Sequence, residues 1–212
     1  MKKFNKFLLI SLSAILVACG GEEKSQDDNI DVEKNPLGAA MKMAQNMQEK
    51  AEKMQKNMEE RKDAKAMHYE ELMKYLPNEI DGYTLEGDPH GESIEAGPTS
   101  YSTVHKKFIN DNNERIIIKL VDYNAAVNMF NMATMMWSTG LKVDTSDELA
   151  QSYNINDDIS GWESFKKNSG AASLILGIKD RFLLTVEADK QENCDNVKSI
   201  AKSMDLDKLA AL

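Results

Sequence analysis

Cysteine, histidine, basic charge and long apolar runs are all scarce in this chain, and each scarcity excludes something. Two cysteines, Cys19 and Cys194, allow one disulfide at most, so no framework of bridges holds the fold. The three histidines, His68, His90 and His105, show no metal-ligand spacing to one another or to a cysteine. Nucleophile-elbow, phosphate-loop and H-E-x-x-H patterns are missing. The sequence thus offers no catalytic set, metal ligand set or cofactor motif, and no enzymatic activity is expected. Lys and Arg total 26 against 35 Asp and Glu, for a net charge of −9. That balance argues against nucleic acid, whose phosphates need a basic footprint. The apolar run Phe7–Ala18 has 12 residues, whereas a helix needs roughly 20 to cross about 30 Å of hydrocarbon.

What is there begins with that run. Lys2, Lys3 and Lys6 precede it, and residues 1–18 read as a secretory signal that is removed. The run ends on Leu16-Val17-Ala18-Cys19. These four residues resemble the lipobox of bacterial lipoproteins, a leucine and two small or aliphatic residues before a cysteine. The resemblance covers the first 19 residues alone. It implies a diacylglycerol on the Cys19 sulfur, cleavage before Cys19, and acylation, as with palmitate, of the new amine. Each buried methylene contributes ~0.8 kcal/mol, and two or more chains hold stably, so lipidation of Cys19 makes the chain membrane-anchored.

Residues 19–35, with "GGEEKSQDDNIDVEKN" after the cysteine, lack apolar periodicity and read as a flexible acidic tether. Gly20 stands where enteric bacteria place an inner-membrane retention aspartate, so the resemblance implies the outer membrane. The pairs Glu22-Glu23 and Asp27-Asp28 are similar to export signals of some surface-displayed lipoproteins; a merely soluble tether accounts for them as well. Both the periplasmic face and the cell surface stay open. The removed segment carries three lysines and no acid, which takes −9 to −12. Binding to anionic lipid by charge is therefore not expected, and the acyl chains are the membrane contact.

Residues 36–76 run from Pro36 to the residue before Pro77 with no proline between. Ala, Met, Lys, Glu and Gln dominate, all good helix formers, and an unbroken helix of this length reaches ~60 Å. Leu37, Ala40, Ala44, Met47, Ala51, Met54 and Met58 step by threes and fours, a heptad stripe as in a coiled coil. Lys62, Ala66, Tyr69, Met73 and Leu76 continue it past a stutter. The stripe packs on its own domain, pairs with another helix, or lines a stalk. Met47, Ala51, Met54 and Met58 are the expected contact with a partner protein or a second copy. "MKMAQNM" superficially resembles Met-rich copper(I) motifs. Met41 and Met43 share no helix face, however, and no His or Cys joins them.

Residues 77–212 suffice for one domain with a core. "GYTLEG" is a short strand and "DPHGESIEAGPT" a loop. "SYSTVHKKFI" and "RIIIKLVDY" form a hairpin about "NDNNE". A helix follows over 124–138, with Phe130 and Trp137 on its core face. "LKVDTSDELAQSYNINDD" is a loop with a short helix at "DELAQSY". "GWESFKK", "AASLILGI" and "RFLLTVEA" are strands, and a helix over 191–204 and a capped turn in "DLDKLAAL" close the fold. Cys194 shares a helical face with Val197, Ala201 and Met204 and is expected as a packed thiol.

The expected fold is α+β: an antiparallel sheet with helices on one face, preceded by a long N-terminal helix. In element order it loosely resembles the Mog1/PsbP-like arrangement, which carries no function over. "YLPNEIDGY" and "SIAKSMDLDKL" resemble parts of uncharacterised bacterial envelope lipoproteins. Asp88, His90 and Glu92 form a polar loop cluster; Asp111, Asn112, Asn113 and Glu114 lack the calcium-loop frame and suit a hairpin turn. Tyr101, Tyr123, Trp137 and Trp162 are core candidates or a pocket lining. Two functions follow as expectations. One is an outer-membrane-anchored, non-catalytic binding or structural component of an envelope complex. The alternative is a small-ligand or lipid carrier with an apolar pocket between the sheet and the Met-rich helix.

Overall fold

The computed structural model describes residues 64–96, 99–124, 130 and 142–212, with isolated positions between 41 and 59. The chain divides into two units, Met1–Ala40 and Met41–Leu212, and the description concerns the second. Among the described residues nine strands form one antiparallel sheet. They are β1 (Thr84–Leu85), β2 (His90–Ala96), β3 (Thr99–Ile109), β4 (Arg115–Asp122), β5 (Lys142–Asp144), β6 (Glu148–Asn156), β7 (Ile159–Lys166), β8 (Ala171–Ile178) and β9 (Phe182–Ala188). The order is β1-β3-β4-β9-β8-β7-β6-β5, with β2 also on β3. The last strand in sequence thus lies between β4 and β8. Short helices accompany the sheet: α1 (Tyr69–Leu72), which runs on into a 3₁₀ turn at Met73–Tyr75, α2 (Asp195–Ser203) and α3 (Leu206–Ala210).

Local chemistry explains the turns. In the β3–β4 hairpin the Asn110 Oδ1 accepts from the amides of Asn112 and Glu114, both at 3.0 Å. Asn113 takes a φ of 57°, in the left-handed region that asparagine tolerates. Lys179, Asp180 and Arg181 join β8 to β9; Lys179 and Asp180 take φ of 47° and 53°, and the Arg181 amide donates to the Ile178 carbonyl at 3.1 Å, the positive-φ pair of a type I′ turn. Gly161 is a steric requirement: a Cβ there would stand 1.8 Å from the Ile175 carbonyl oxygen.

One face of the sheet carries the core. Alternate residues of the central strands, such as Ile118, Leu120, Leu174, Leu176, Leu184 and Val186, are fully buried there. Leu72 and Leu76, Val197 and Ile200, and Leu206 and Leu209 bring the three helices onto the same cluster. Burying one such side chain contributes about 1.5–3 kcal/mol. Phe130, a described position of the expected 124–138 helix, is helical and 3% exposed, with its ring edge-on to Tyr123 at 6.3 Å. The rest of that helix lies outside the described residues.

Three expectations need correction. Residues 90–96 are an edge strand and not a loop; their backbone pairs with 99–105 of β3, although Gly, Glu and Ser favour strands poorly. "LKVDTSDELAQSYNINDD" holds two strands, β5 and β6, and not a loop with a short helix at "DELAQSY". Leu149 and Ala150 fit either period, and pairing with β7 decides for β6. The helix expected over 36–76 does not pass through 64–68, which is neither helix nor strand.

That interruption has a cause. The Met67 amide donates to Asp122 Oδ2 at 2.8 Å, and the Ala66 amide to Ser100 Oγ at 3.0 Å. The Ala64 carbonyl accepts from the Asn124 side chain. Backbone groups that helix continuation would have used are bonded to the sheet instead. Asp122 is fully buried and accepts from Arg181 twice, Nε at 2.9 Å and Nη2 at 2.7 Å, and from the Asn124 amide at 2.9 Å. A buried carboxylate is tolerated only when paired and hydrogen-bonded, and this one is. Arg181→Met, which strands the carboxylate, should cost about 3–5 kcal/mol in urea unfolding. It should also speed exchange of the Met67 amide. Wild-type stability in that variant would show that the pair does not hold the fold.

Candidate functional site

A cleft of about 560 Å³ opens where α1 meets the junction of α2 and α3. Met67, Tyr75, Leu76 and Met204 supply apolar wall, and Glu71, Lys74, Asp205 and Lys208 supply charge. Pro77 ends the 3₁₀ turn, and the chain there is held from beneath. Lys106, 5% exposed, donates its Nζ to Asn78 Oδ1 at 2.8 Å and to the carbonyls of Pro77 and Leu76 at 3.1 and 3.4 Å. Burial lowers the Lys106 pKa, since no carboxylate compensates. On the rim Glu71 pairs with Lys74 at 2.7 Å. Asp205 caps α3 by accepting from the Lys208 amide at 3.3 Å, and the Lys208 ammonium sits 5.8 Å from the centre of the Tyr75 ring. An apolar wall with a few fixed polar groups is what a small-molecule site of this volume requires.

A second polar cluster lies under α2. Glu163, buried on β7, pairs with Lys198 at 3.2 Å and accepts from the Gln151 side chain. Lys198 also pairs with Asp195 at 3.0 Å. Burial lowers the Lys198 pKa, but the hydrogen bonds to Asp195 and Glu163 together with their charges leave it raised. Cys194 is buried and donates its Sγ to the Ser164 carbonyl at 3.3 Å. Burial first, then the Glu163 charge, pushes its thiol up to about 11, so the nucleophilic thiolate is scarce at neutral pH.

The histidines separate. His68 caps α1. His90 and His105, distant in sequence, stand directly opposite one another across β2 and β3, their ring centres 5.1 Å apart. Burial lowers the His105 pKa, and His90, Lys107 and Lys119 add to this. Among the described residues no group of three or more His, Cys, Asp or Glu is arranged to hold a metal. Glu92 shares the His90 face of β2, while residues 111–114 form the hairpin turn, where Lys190 donates to the Asn112 carbonyl at 2.9 Å. Tyr101, Tyr123 and Trp162 are half-buried. Burial, then Tyr101, raises the Tyr123 pKa.

Of the residues expected to make contacts, Cys19, Met47, Met54, Met58 and Trp137 lie outside the described residues. Ala51 is helical and exposed. Sequence reasoning missed the cleft, whose walls come from 67–78 and 203–208, because only the fold joins them. It missed the histidine pair for want of one fact. With 90–96 read as a strand paired with 99–105, His90 falls against His105. No described helix is long and apolar enough to cross a membrane. No family model, curated protein or solved structure matches this chain.

The thiol generates a prediction. Because folding raises its pKa from the ordinary 9.0 to about 11, the folded state favours the neutral thiol. The stability it contributes is whole below pH 9 and falls as pH rises from 9 towards 11. Cys194→Ala should remove this share of the slope, leaving the part due to Tyr123, Lys106 and Lys198. In the Cys19→Ser chain, labelling of Cys194 at pH 8 should be slow until denaturant is added. Rapid labelling of the folded protein would contradict the burial.

Proposed function

We propose that the chain is an outer-membrane lipoprotein, anchored through Cys19, that serves as a non-catalytic binding component of the cell envelope. The observation that carries this reading is Leu16-Val17-Ala18-Cys19 after a lysine-led apolar run and before an acidic tether. The long helix belongs to the proposal as its contact element. Every described position between 41 and 59 is helical and exposed. These include Ala44 and Ala51 of the apolar stripe, and Met41 is 60% exposed. That exposure supports a stripe open to a partner helix or a second copy over one packed on its own sheet.

The carrier reading keeps one specific support, the cleft at Met67, Tyr75, Leu76 and Met204. It differs from the pocket first expected, since it lies beside α2 and α3. Its occupant would be a small molecule with an apolar body, and the anchor would hold the carrier at the membrane.

Two experiments test the proposal. In a Gram-negative host, Cys19→Ser should leave the precursor uncut at this position and unacylated. Mass spectrometry of the amino terminus checks it, and a wild-type chain starting elsewhere than Cys19 would remove the anchor. For the contact, Ala51→Glu with Met54→Glu places charge in the stripe while keeping good helix formers. Light scattering of the chain from residue 20 onward should show an assembly that the double change dissolves, because an unpaired buried charge is costly. A monomer in both forms would leave the helix as a spacer.

A further inference from the structure

We infer that His90 and His105 form a binding site for a borderline divalent transition metal, Cu²⁺ or Zn²⁺, on the open face of the sheet. The two side chains are directly opposed across β2 and β3, so the backbone ladder, and not loop chance, sets their separation. Two imidazoles bound to one ion through nitrogens at about 2.0–2.1 Å would place their ring centres roughly 4.5–5.2 Å apart. The observed separation is 5.1 Å, with the rings tilted by 41°. Neither imidazole is tied up in a hydrogen bond among those the described residues show, whereas His68 accepts from the Glu70 amide. His90 is exposed and His105 half-exposed, so an ion has access and water completes its coordination. Imidazole suits copper and zinc, and copper(II) binds such nitrogen sites more tightly. Glu92, two residues along on the same face of β2, adds a negative charge.

The same face carries an opposing feature that makes the proposal sharp. Lys119 lies opposite His105 on β4, and Lys107 follows two residues along β3. Two ammonium groups weaken a dication site and strengthen an anion site. Lys119→Gln should therefore tighten Cu²⁺ and Zn²⁺, where an anion patch would lose affinity for its ligand.

The test uses the full chain with Cys19→Ser, without a tag, titrated with Cu²⁺ and with Zn²⁺ by calorimetry. Zn²⁺ should shift the ring resonances of His90 and His105 in nitrogen-detected NMR. His90→Ala and His105→Ala should each lower the Cu²⁺ affinity roughly tenfold or more, since losing even a group that only supports a ligand costs about that much. His68→Ala should leave it unchanged, and circular dichroism should report an intact sheet in all three. Binding that survives both His90→Ala and His105→Ala, or no saturable binding in the wild type, would overturn the assignment. So would a Lys119→Gln chain that binds the metals more weakly while the wild type retains inorganic phosphate.

Discussion

The carboxylate of Asp122 is the constraint on which the rest of the described unit depends. It has no contact with water, and its four hydrogen bonds come from three separate places in the chain. Arg181 stands just before β9, the Asn124 amide just after β4, and the Met67 amide in the strap before α1. Removing any donor leaves part of a buried charge unmet, so the three segments are committed to one another. Arg181 also donates to the Leu212 carbonyl at 3.2 Å and lies over its neighbour Phe182 at 4.6 Å. One ion pair thereby fixes where the helix-forming region gives way to the sheet and which strands meet at the centre.

A similar economy governs Lys106. Its ammonium is buried against three neutral oxygens, and it holds the 76–78 segment that walls the cleft. The cleft's shape is thus set from the core side, while Glu71 and Lys74 pair on its rim. A ligand entering it would meet a wall already held in place, which limits the ordering cost of binding.

Legibility followed burial. The run Ile116–Val121 and the alternation of 159–188 announced themselves as strands because the core face selects large apolar residues at every second position. The hairpin at Asn110–Glu114 was visible through its turn residues, and α3 through Asp205. The edges were not. β2 and β5 face solvent over most of their length and owe their conformation to a partner strand, so their own residues record little. The strap at 64–68 was hidden for the opposite reason. Its residues are good helix formers, and it is not helical because Ser100, Asp122 and Asn124 take its backbone groups. Both groups of polar side chains that draw functional interest, the cleft and the histidine pair, are made by contacts between distant segments, which no local pattern encodes.

The position of β9 has a consequence in time. Strands β1 to β4 and strands β5 to β8 are each joined to neighbours that are close in sequence, and neither set reaches the other without β9. The β9–β8 ladder closes locally as a hairpin, but the β4–β9 ladder forms only after nearly the whole chain is at hand and requires a long loop closure that slows folding. Until residue 188 emerges, Ile116, Ile118 and Leu120 on one side and Leu174 and Leu176 on the other are open edges awaiting the same strand. Such a chain stays unfinished late by its wiring alone, and the sheet locks shut only when β9 joins its two halves.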